Sequence, residues 1–329
     1  MKYKNGLVIG KFMPPHKGHE FLFRFAMQYC DHLTIVVDCL KDQTIDPILR
    51  KQWIEEQLAG INVTVIALSE FMPQAPSECS NFWDIWKNTL VSVAGKPDVL
   101  LASMHYGIEL AQHLGCVFVP VDIARDSISI SATDIRKNVF KHWHYLMDSA
   151  KAHFLKKICF IGPESTGKTT LAKNIANQLQ TVYVAEYAKE LIDVQNGNLY
   201  SHNMLEIGNA QIRVEKALER MTNKVMICDS DIITTMVWSK HLFNYIPSEL
   251  EDIAKTHQYA MTFLFYPDTQ WVSDTHRQFS NTHTNDFRLK MFYDMRTLLI
   301  KYNRPYQVIK GSFFEKEQQI INYINSMIE

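Results

Sequence analysis

The run KICFIGPESTGKTTLAK, residues 157–173, decides how this chain is to be read. Ile158–Ile161 is a short apolar stretch, and Leu171, Ala172, Ile175, Ala176 and Leu179 recur at helical spacing. Between them Gly162-Pro163-Glu164-Ser165-Thr166-Gly167-Lys168-Thr169 fits the phosphate-loop pattern GxxxxGK(S/T). Holding a phosphate requires backbone N–H groups that converge on its oxygens, so Gly167 is needed for close approach. The start of the following helix adds partial positive charge. Lys168 can reach terminal phosphates, and the Thr169 hydroxyl can ligate Mg²⁺. The strand–loop–helix frame demanded by the pattern is present. The second half is therefore expected to bind ATP through Gly162, Glu164, Ser165, Thr166, Gly167, Thr169 and Thr170, with Lys168 as a catalytic cation.

With 329 residues the chain has room for about two domains, each with its own core. The formal net charge is −1 and charged residues are spread along the chain, so no basic footprint argues for nucleic acid. No apolar run approaches the length of a membrane span, and the N-terminus MKYKNGLVIGKF lacks a signal-peptide layout. The six cysteines form no CxxC pair and mostly lie in apolar surroundings, so buried free thiols in a reducing cytoplasm are expected.

Outward toward the N-terminus, Gly6–Phe12 reads as an opening strand, followed by Met13-Pro14-Pro15 and His16-Lys17-Gly18-His19. If a helix begins near Lys17, both imidazoles sit at its N-terminus, about one turn apart on one face. With Lys11 and free backbone donors they form a site for oxyanions, where Gly18 permits close approach of a phosphate. Two histidines at this spacing also occur as ordinary surface residues, and no further ligands cluster nearby for zinc. The whole string, Gly10-x-Phe12-x-x-x-His16-x-Gly18-His19, resembles the GxFxxxHxGH signature of the HxGH nucleotidyltransferases. Ile130-Ser131-Ala132-Thr133-Asp134-Ile135-Arg136 fits that family's second signature, ISxTxxR. Ser131 and Thr133 can cap a helix and donate hydroxyls, and Arg136 follows one turn on to pair with phosphate.

Between the two strings, strand signals at Leu33–Leu40, Val63–Leu68, Val99–Ser103 and Val117–Val121 alternate with helical patterns such as Leu49–Leu58 and Trp83–Val93. This alternation predicts an α/β fold with doubly wound parallel sheets, whose ligands bind beyond the strand carboxyl ends. The aromatic segment Asn81–Trp86 can stack Trp83 and Trp86 on a base or nicotinamide, or form a core helix. Arg50 and Trp53 pose the same choice.

Read together, the two halves resemble the NadR family, whose members join a nicotinamide mononucleotide (NMN) adenylyltransferase to a ribosylnicotinamide kinase. The likeness spans nearly the whole chain: GKFMPPHKGH, Arg50-x-x-Trp53, WDIW, ISATDIR, GPESTGKT, AEYAKE, CDSDIITT and WVSDTHR. It implies a Rossmann-like adenylyltransferase domain at 1–150 and a phosphate-loop kinase domain at 156–329. It further implies Mg²⁺ as cofactor, ATP as co-substrate, NMN, nicotinamide riboside and NAD as the other small-molecule partners, and room for a homo-oligomer. His16, His19, Lys11 and Arg136 would be catalytic in the first half, with Gly10, Phe12, Gly18, Ser131 and Thr133 on ATP and Arg50, Trp53, Trp83 and Trp86 on the other substrate. Some members carry an N-terminal helix-turn-helix domain. Here strand one begins by Gly6, so DNA binding is not expected.

In the second half the resemblance places Glu186, Tyr187 and Gln211 at the nucleoside. Lys189 stands where arginine is usual, and with Glu190 it reads equally well as a solvated helix face. Val225–Cys228 reads as a strand ending in Asp229-Ser230-Asp231, where a carboxylate can hold Mg²⁺ or accept a hydroxyl proton. Asp229 is assigned as base and Asp231, with Thr169, as metal ligand. Trp271–Arg277 resembles the family's WVxDGxR lid, with Arg277 meeting the transferring phosphoryl group and Thr275 replacing the expected glycine. Two other readings remain open: a different nucleotidyltransferase fused to another small-molecule kinase, or a nucleotide sensor with little kinase turnover.

Overall fold

Apolar runs of two to eight residues punctuated by helical segments build two separate parallel sheets. The computed structural model describes residues 2–270 and 284–329. The segment expected as a lid, Trp271–Arg277 with Thr275 and Arg277, lies outside the described residues. The chain divides into two compact units, Met1–His153 and Phe154–Glu329.

In the first unit Tyr3–Gly10 (β1), Lys17–Tyr29 (α1), Cys30–Val37 (β2), Pro47–Gln57 (α2), Val63–Ala67 (β3), Phe82–Ala94 (α3), Val99–Ala102 (β4), Tyr106–Leu114 (α4) and Val117–Pro120 (β5) follow in turn. The short helices Ala132–Lys137 (α5) and Asp148–Phe154 (α6) complete it. The sheet order is β3-β2-β1-β4-β5, every pair parallel. The order reverses at β1, so the β1–α1 loop opens at the carboxyl edge where such sheets bind ligands. Leu7 and Ile9 pack with Val36, Phe82, Trp86 and Leu90 into a core cluster on one side of this sheet.

The second unit runs through Lys156–Ile161 (β6), Lys168–Gln178 (α7), Tyr183–Val184 (β7), Tyr187–Val194 (α8), Asn203–Leu218 (α9) and Val225–Asp229 (β8). Ile232–Phe243 (α10), Ser248–Thr256 (α11), Met261–Phe265 (β9), Asn285–Lys301 (α12), Tyr306–Ile309 (β10) and Phe313–Ile328 (α13) follow. Its order, β10-β9-β6-β8-β7, is also all parallel. Side chains alternate across each strand. Cys159 and Ile161 join a core with Met204, Met236 and Met295, whereas Ile158 and Phe160 join Leu171, Ile175, Ile320 and Ile324 on the other face. Full burial of each such side chain contributes ~1.5–3 kcal/mol, which holds helices on both faces of the sheet.

Some edges differ from the sequence expectation. β1 starts at Tyr3 and ends at Gly10, because Phe12 turns to φ +46° and buries its ring. β2 begins at Cys30 rather than Leu33, and β7 is only the pair Tyr183–Val184. Cys30, Cys39, Cys159 and Cys228 are buried thiols; Cys79 and Cys116 are half-buried, also free. Among the described residues no helix is long and apolar enough to cross a membrane.

Candidate functional site

The first candidate site forms where β1 gives way to α1. His16 caps α1: its Nδ1 accepts the Gly18 N–H at 3.1 Å, and the His19 Nδ1 accepts the His16 N–H at 3.3 Å. With both Nδ1 atoms accepting, each ring carries its proton on Nε2, leaving two imidazole N–H donors for an anion. The rings stack with centroids 3.6 Å apart, and the edge of Phe12 packs on His19 at 4.9 Å. Burial, reinforced by the Arg125 guanidinium, lowers His16 to about 4. Burial, then His16 and Arg125, lowers His19 well below its ordinary value. Both are therefore neutral donors at pH 7. A Cβ on Gly18 would come within about 3.0 Å of the His16 ring, so this glycine makes room for the imidazole.

The second signature reaches the same loop. Ser131 caps α5 by accepting the Asp134 N–H at 3.1 Å. Arg136 donates from Nη1 to the Met13 carbonyl and from Nη2 to Thr133 Oγ1 at 3.0 Å. Two strings some 120 residues apart in the chain are thus joined by one guanidinium, which stays exposed together with Lys11 and Thr133. The expected substrate contacts divide. Arg50 is fully buried, donating to the carbonyls of Lys11 and Asp46 and to Gln43 Oε1. It supports the loop and offers nothing to a ligand directly. Trp53 is buried against His153, and Trp86 is buried with its Nε1 donating to the Pro73 carbonyl at 3.0 Å. Only Trp83 is half-buried, stacked on His113 at 5.3 Å.

The second candidate site lies at the carboxyl end of β6. Gly162 at φ +149° approaches β9 so closely that a Cβ would meet the Phe265 carbonyl oxygen at 2.8 Å, and Gly167 at φ +89° starts α7. The loop borders an open cleft of about 480 Å³ that is also lined by Glu186, Lys189, Gln211 and Trp238. Burial lowers Lys168 to about 8, and its ammonium donates to the Pro163 carbonyl at 2.8 Å. Asp229 Oδ2 accepts from the Thr169 hydroxyl at 2.6 Å and from Tyr183 Oη at 3.0 Å. Lys189 Nζ donates to Thr169 Oγ1 at 3.1 Å and lies 3.1 Å from Glu186 and 3.8 Å from Asp229. Lys189 thus reaches the site although its side chain stays partly exposed.

The two carboxylates lie in different surroundings. Asp231 is the N-cap of α10, accepting the Thr234 N–H at 3.0 Å, while Asp229 is the one that faces Thr169. The buried Asp229 Oδ1 has no hydrogen-bond partner. A hydroxyl beside a carboxylate with an unfilled oxygen suits Mg²⁺, a hard ion that takes one or two protein oxygens alongside phosphates and water. Among the described residues no cluster of three or more His, Cys, Asp or Glu forms an all-protein metal cage. Gln211 lines the cleft but spends its amide on the Tyr187 N–H at 2.9 Å and the Ala185 carbonyl at 3.3 Å, and the Tyr187 ring packs on the core.

Residues 157–316 match a family model described as AAA domain. The chain is 27% identical over 290 residues to the trifunctional NAD biosynthesis/regulator protein NadR of Escherichia coli K12, covering 82% of this chain and 70% of that protein. The chain is a homologue of NadR. A crystal structure of NadR protein in complex with NR superposes with a TM-score of 0.78 at 20% identity, covering 99% of this chain and 96% of that one. Another, in complex with NAD and AMP-PNP, gives 0.76 at 19% identity over the same shares. These likenesses show the fold. In this NadR homologue, Arg125, Tyr183 and Trp238 reach the two sites from outside any of the motifs. Trp238 falls within the apolar run of α10, and Tyr183 within a strand, so neither carries a local signal of its place in the site.

Proposed function

We propose that this NadR homologue makes NAD in two steps, one in each unit. The second unit phosphorylates nicotinamide riboside with ATP to give NMN and ADP. The first unit adenylylates NMN with ATP to give NAD and pyrophosphate. The observation that carries the reading is the presence of two separately built phosphate sites in a chain that matches NadR across both halves.

In the first unit the NMN phosphate attacks the α-phosphorus of ATP in line, and no covalent enzyme intermediate is needed. The Nε2–H groups of His16 and His19, with Lys11, meet charge growing on the α- and bridging oxygens. Ser131, Thr133 and Arg136 hold the β- and γ-phosphates around the loop with Gly10, Phe12 and Gly18. Trp83 is the aromatic surface offered to nicotinamide.

In the second unit the riboside 5′-hydroxyl attacks the γ-phosphorus. Lys168 and the backbone donors from Gly162 to Thr170 orient the triphosphate, since phosphoryl transfer rests on positioning and electrostatics. Thr169 and Asp229 would hold Mg²⁺, which neutralises phosphate charge when bound. Glu186 lines the riboside cleft beside Trp238, with Gln211 and Tyr187 holding its wall. Arg277 is proposed as a further cation on the transferring group. A homo-oligomer and a cytoplasmic setting accord with this reading.

Paired substitutions test it. Lys168→Ala should abolish riboside phosphorylation and leave NAD synthesis from NMN, and His19→Ala should do the reverse. A variant that loses both activities while still folded would overturn the two-site reading.

A further inference from the structure

Behind the phosphate loop of the second unit lie two buried cations and a hydroxyl that do not line the cleft themselves. Arg288, from α12, is 1% exposed and donates from Nε to the Glu164 carbonyl at 3.1 Å. The Thr269 hydroxyl donates to the Ser165 carbonyl, and Arg288 Nη1 donates in turn to the Thr269 carbonyl at 2.9 Å. Lys316, from α13, is also 1% exposed. Its ammonium lies 3.5 Å from the Thr166 carbonyl and 2.6 Å from Asp268 Oδ1. Three consecutive carbonyls are thus taken up from the outer side.

The peptide unit is planar and trans, so its N–H points away from its own C=O. Fixing the carbonyls of Glu164, Ser165 and Thr166 outward turns the N–H groups of Ser165, Thr166 and Gly167 toward the cleft. Ser165 adopts φ +58°, a conformation that costs a non-glycine residue of order 1 kcal/mol or more and persists only where its surroundings impose it. The hydroxyl on its carbonyl is such an imposition. Desolvating two cations on this side is also costly unless each is fully hydrogen-bonded.

We propose that Arg288, Thr269 and Lys316 form an outer belt that presets the phosphate loop, making them positioning residues for triphosphate binding although none contacts ligand. The proposal rests on the triphosphate reading of this loop, not on the identity of the phosphate acceptor.

The test uses the full chain and AMP-PNP with Mg²⁺, scored as the binding that Lys168→Ala removes, so that the first unit's site is subtracted. Thr269→Val should weaken that binding about five- to tenfold, the scale of one net hydrogen bond. Thr269→Ser, which keeps the hydroxyl, should restore it to within about twofold. Arg288→Lys gives up the planar fork and should weaken binding at least as much as Thr269→Val. Native affinity in both Thr269→Val and Arg288→Lys overturns the belt. So does a fall in thermal midpoint with affinity unchanged, which would make these residues merely structural. Should the native chain phosphorylate no riboside, the kinase assignment falls, while the AMP-PNP comparison still decides the belt.

Discussion

The two phosphate sites of this chain sit at equivalent places, each in the loop after the leading strand of its own parallel sheet, yet they differ in their central donors. The first presents neutral imidazole N–H groups whose other nitrogens are committed to starting α1. The second presents an ammonium and a bare backbone loop, backed by buried cations and faced by a buried carboxylate. The difference fits the bond each is proposed to break. In the first unit the neutral imidazole donors would act at the α-phosphorus, beside the Lys11 and Arg136 cations proposed there. Fixed charge around a γ-phosphoryl group neutralises a transition state that spreads charge over several oxygens.

The largest test of this contrast is the crossover of single substitutions. Lys168→Ala should lower riboside phosphorylation by ~10²–10³ while NMN adenylylation holds, and His19→Ala should give the mirror image, because each removes a preorganised donor. Steady-state assays of both reactions on the same preparations read the result, and equal losses in both would erase the distinction between the sites. Next comes the pair of aspartates. Asp229→Asn should cost riboside phosphorylation ~10²-fold and raise the Mg²⁺ needed for half-maximal rate. Asp231→Ala should mainly lower stability, by about 1–2 kcal/mol through the lost cap, as read by denaturant unfolding. If Asp231→Ala abolishes turnover at native stability, the carboxylate roles are reversed.

Protonation sharpens the comparison further. Burial holds Lys168 near 8, so the free site loses its ammonium as pH rises through that value. The kcat/KM for ATP in riboside phosphorylation should then fall about tenfold per unit at higher pH, and Lys168→Arg should flatten that limb whatever its absolute rate. A flat native profile to pH 9.5 would show that this lysine keeps its proton throughout. In the first unit nothing comparable should happen near neutrality. Nitrogen-15 NMR of the histidine rings should find His16 titrating near 4, with Nε2 protonated above that; a midpoint near the ordinary 6.5 would mean a charged site.

Much of the fold was legible because its strands are near-continuous apolar runs and its helices carry periodic apolar faces. Val63, Val99 and Val117 begin their strands where the pattern places them, and each phosphate motif falls at the carboxyl end of its leading strand. What escaped was whatever depends on partners far along the chain. Arg288 meets Glu164 and Lys316 meets Thr166, more than 120 residues away in each case, so no local spacing marks them. Arg50 and Trp53 carried the right residue types for ligand contact, but burial turns both inward. Lys189 read equally well as a site residue or a solvated face, because helical spacing gives a face and not what lies opposite; Thr169 and Asp229 lie opposite. The order of Asp229 and Asp231 was undecidable from an alternating carboxylate pair at a strand end. Which one enters the site depends on where β8 stops and α10 takes its cap.

The capping role of His16 links the charge state of the first site to its folding. A proton on Nδ1 would displace the Gly18 N–H and undo the start of α1. The unfolded chain accepts that proton below about pH 6.5, whereas the folded chain resists it until about 4. Across that interval the unfolded state binds more protons, so the first unit loses stability as the solution is acidified, by up to about 1.4 kcal/mol per pH unit from this residue. An asparagine at position 16 could still take the Gly18 N–H while offering no second donor outward, which would uncouple helix initiation from anion grip. Loading this site with a charged imidazole would first unwind the helix that holds it.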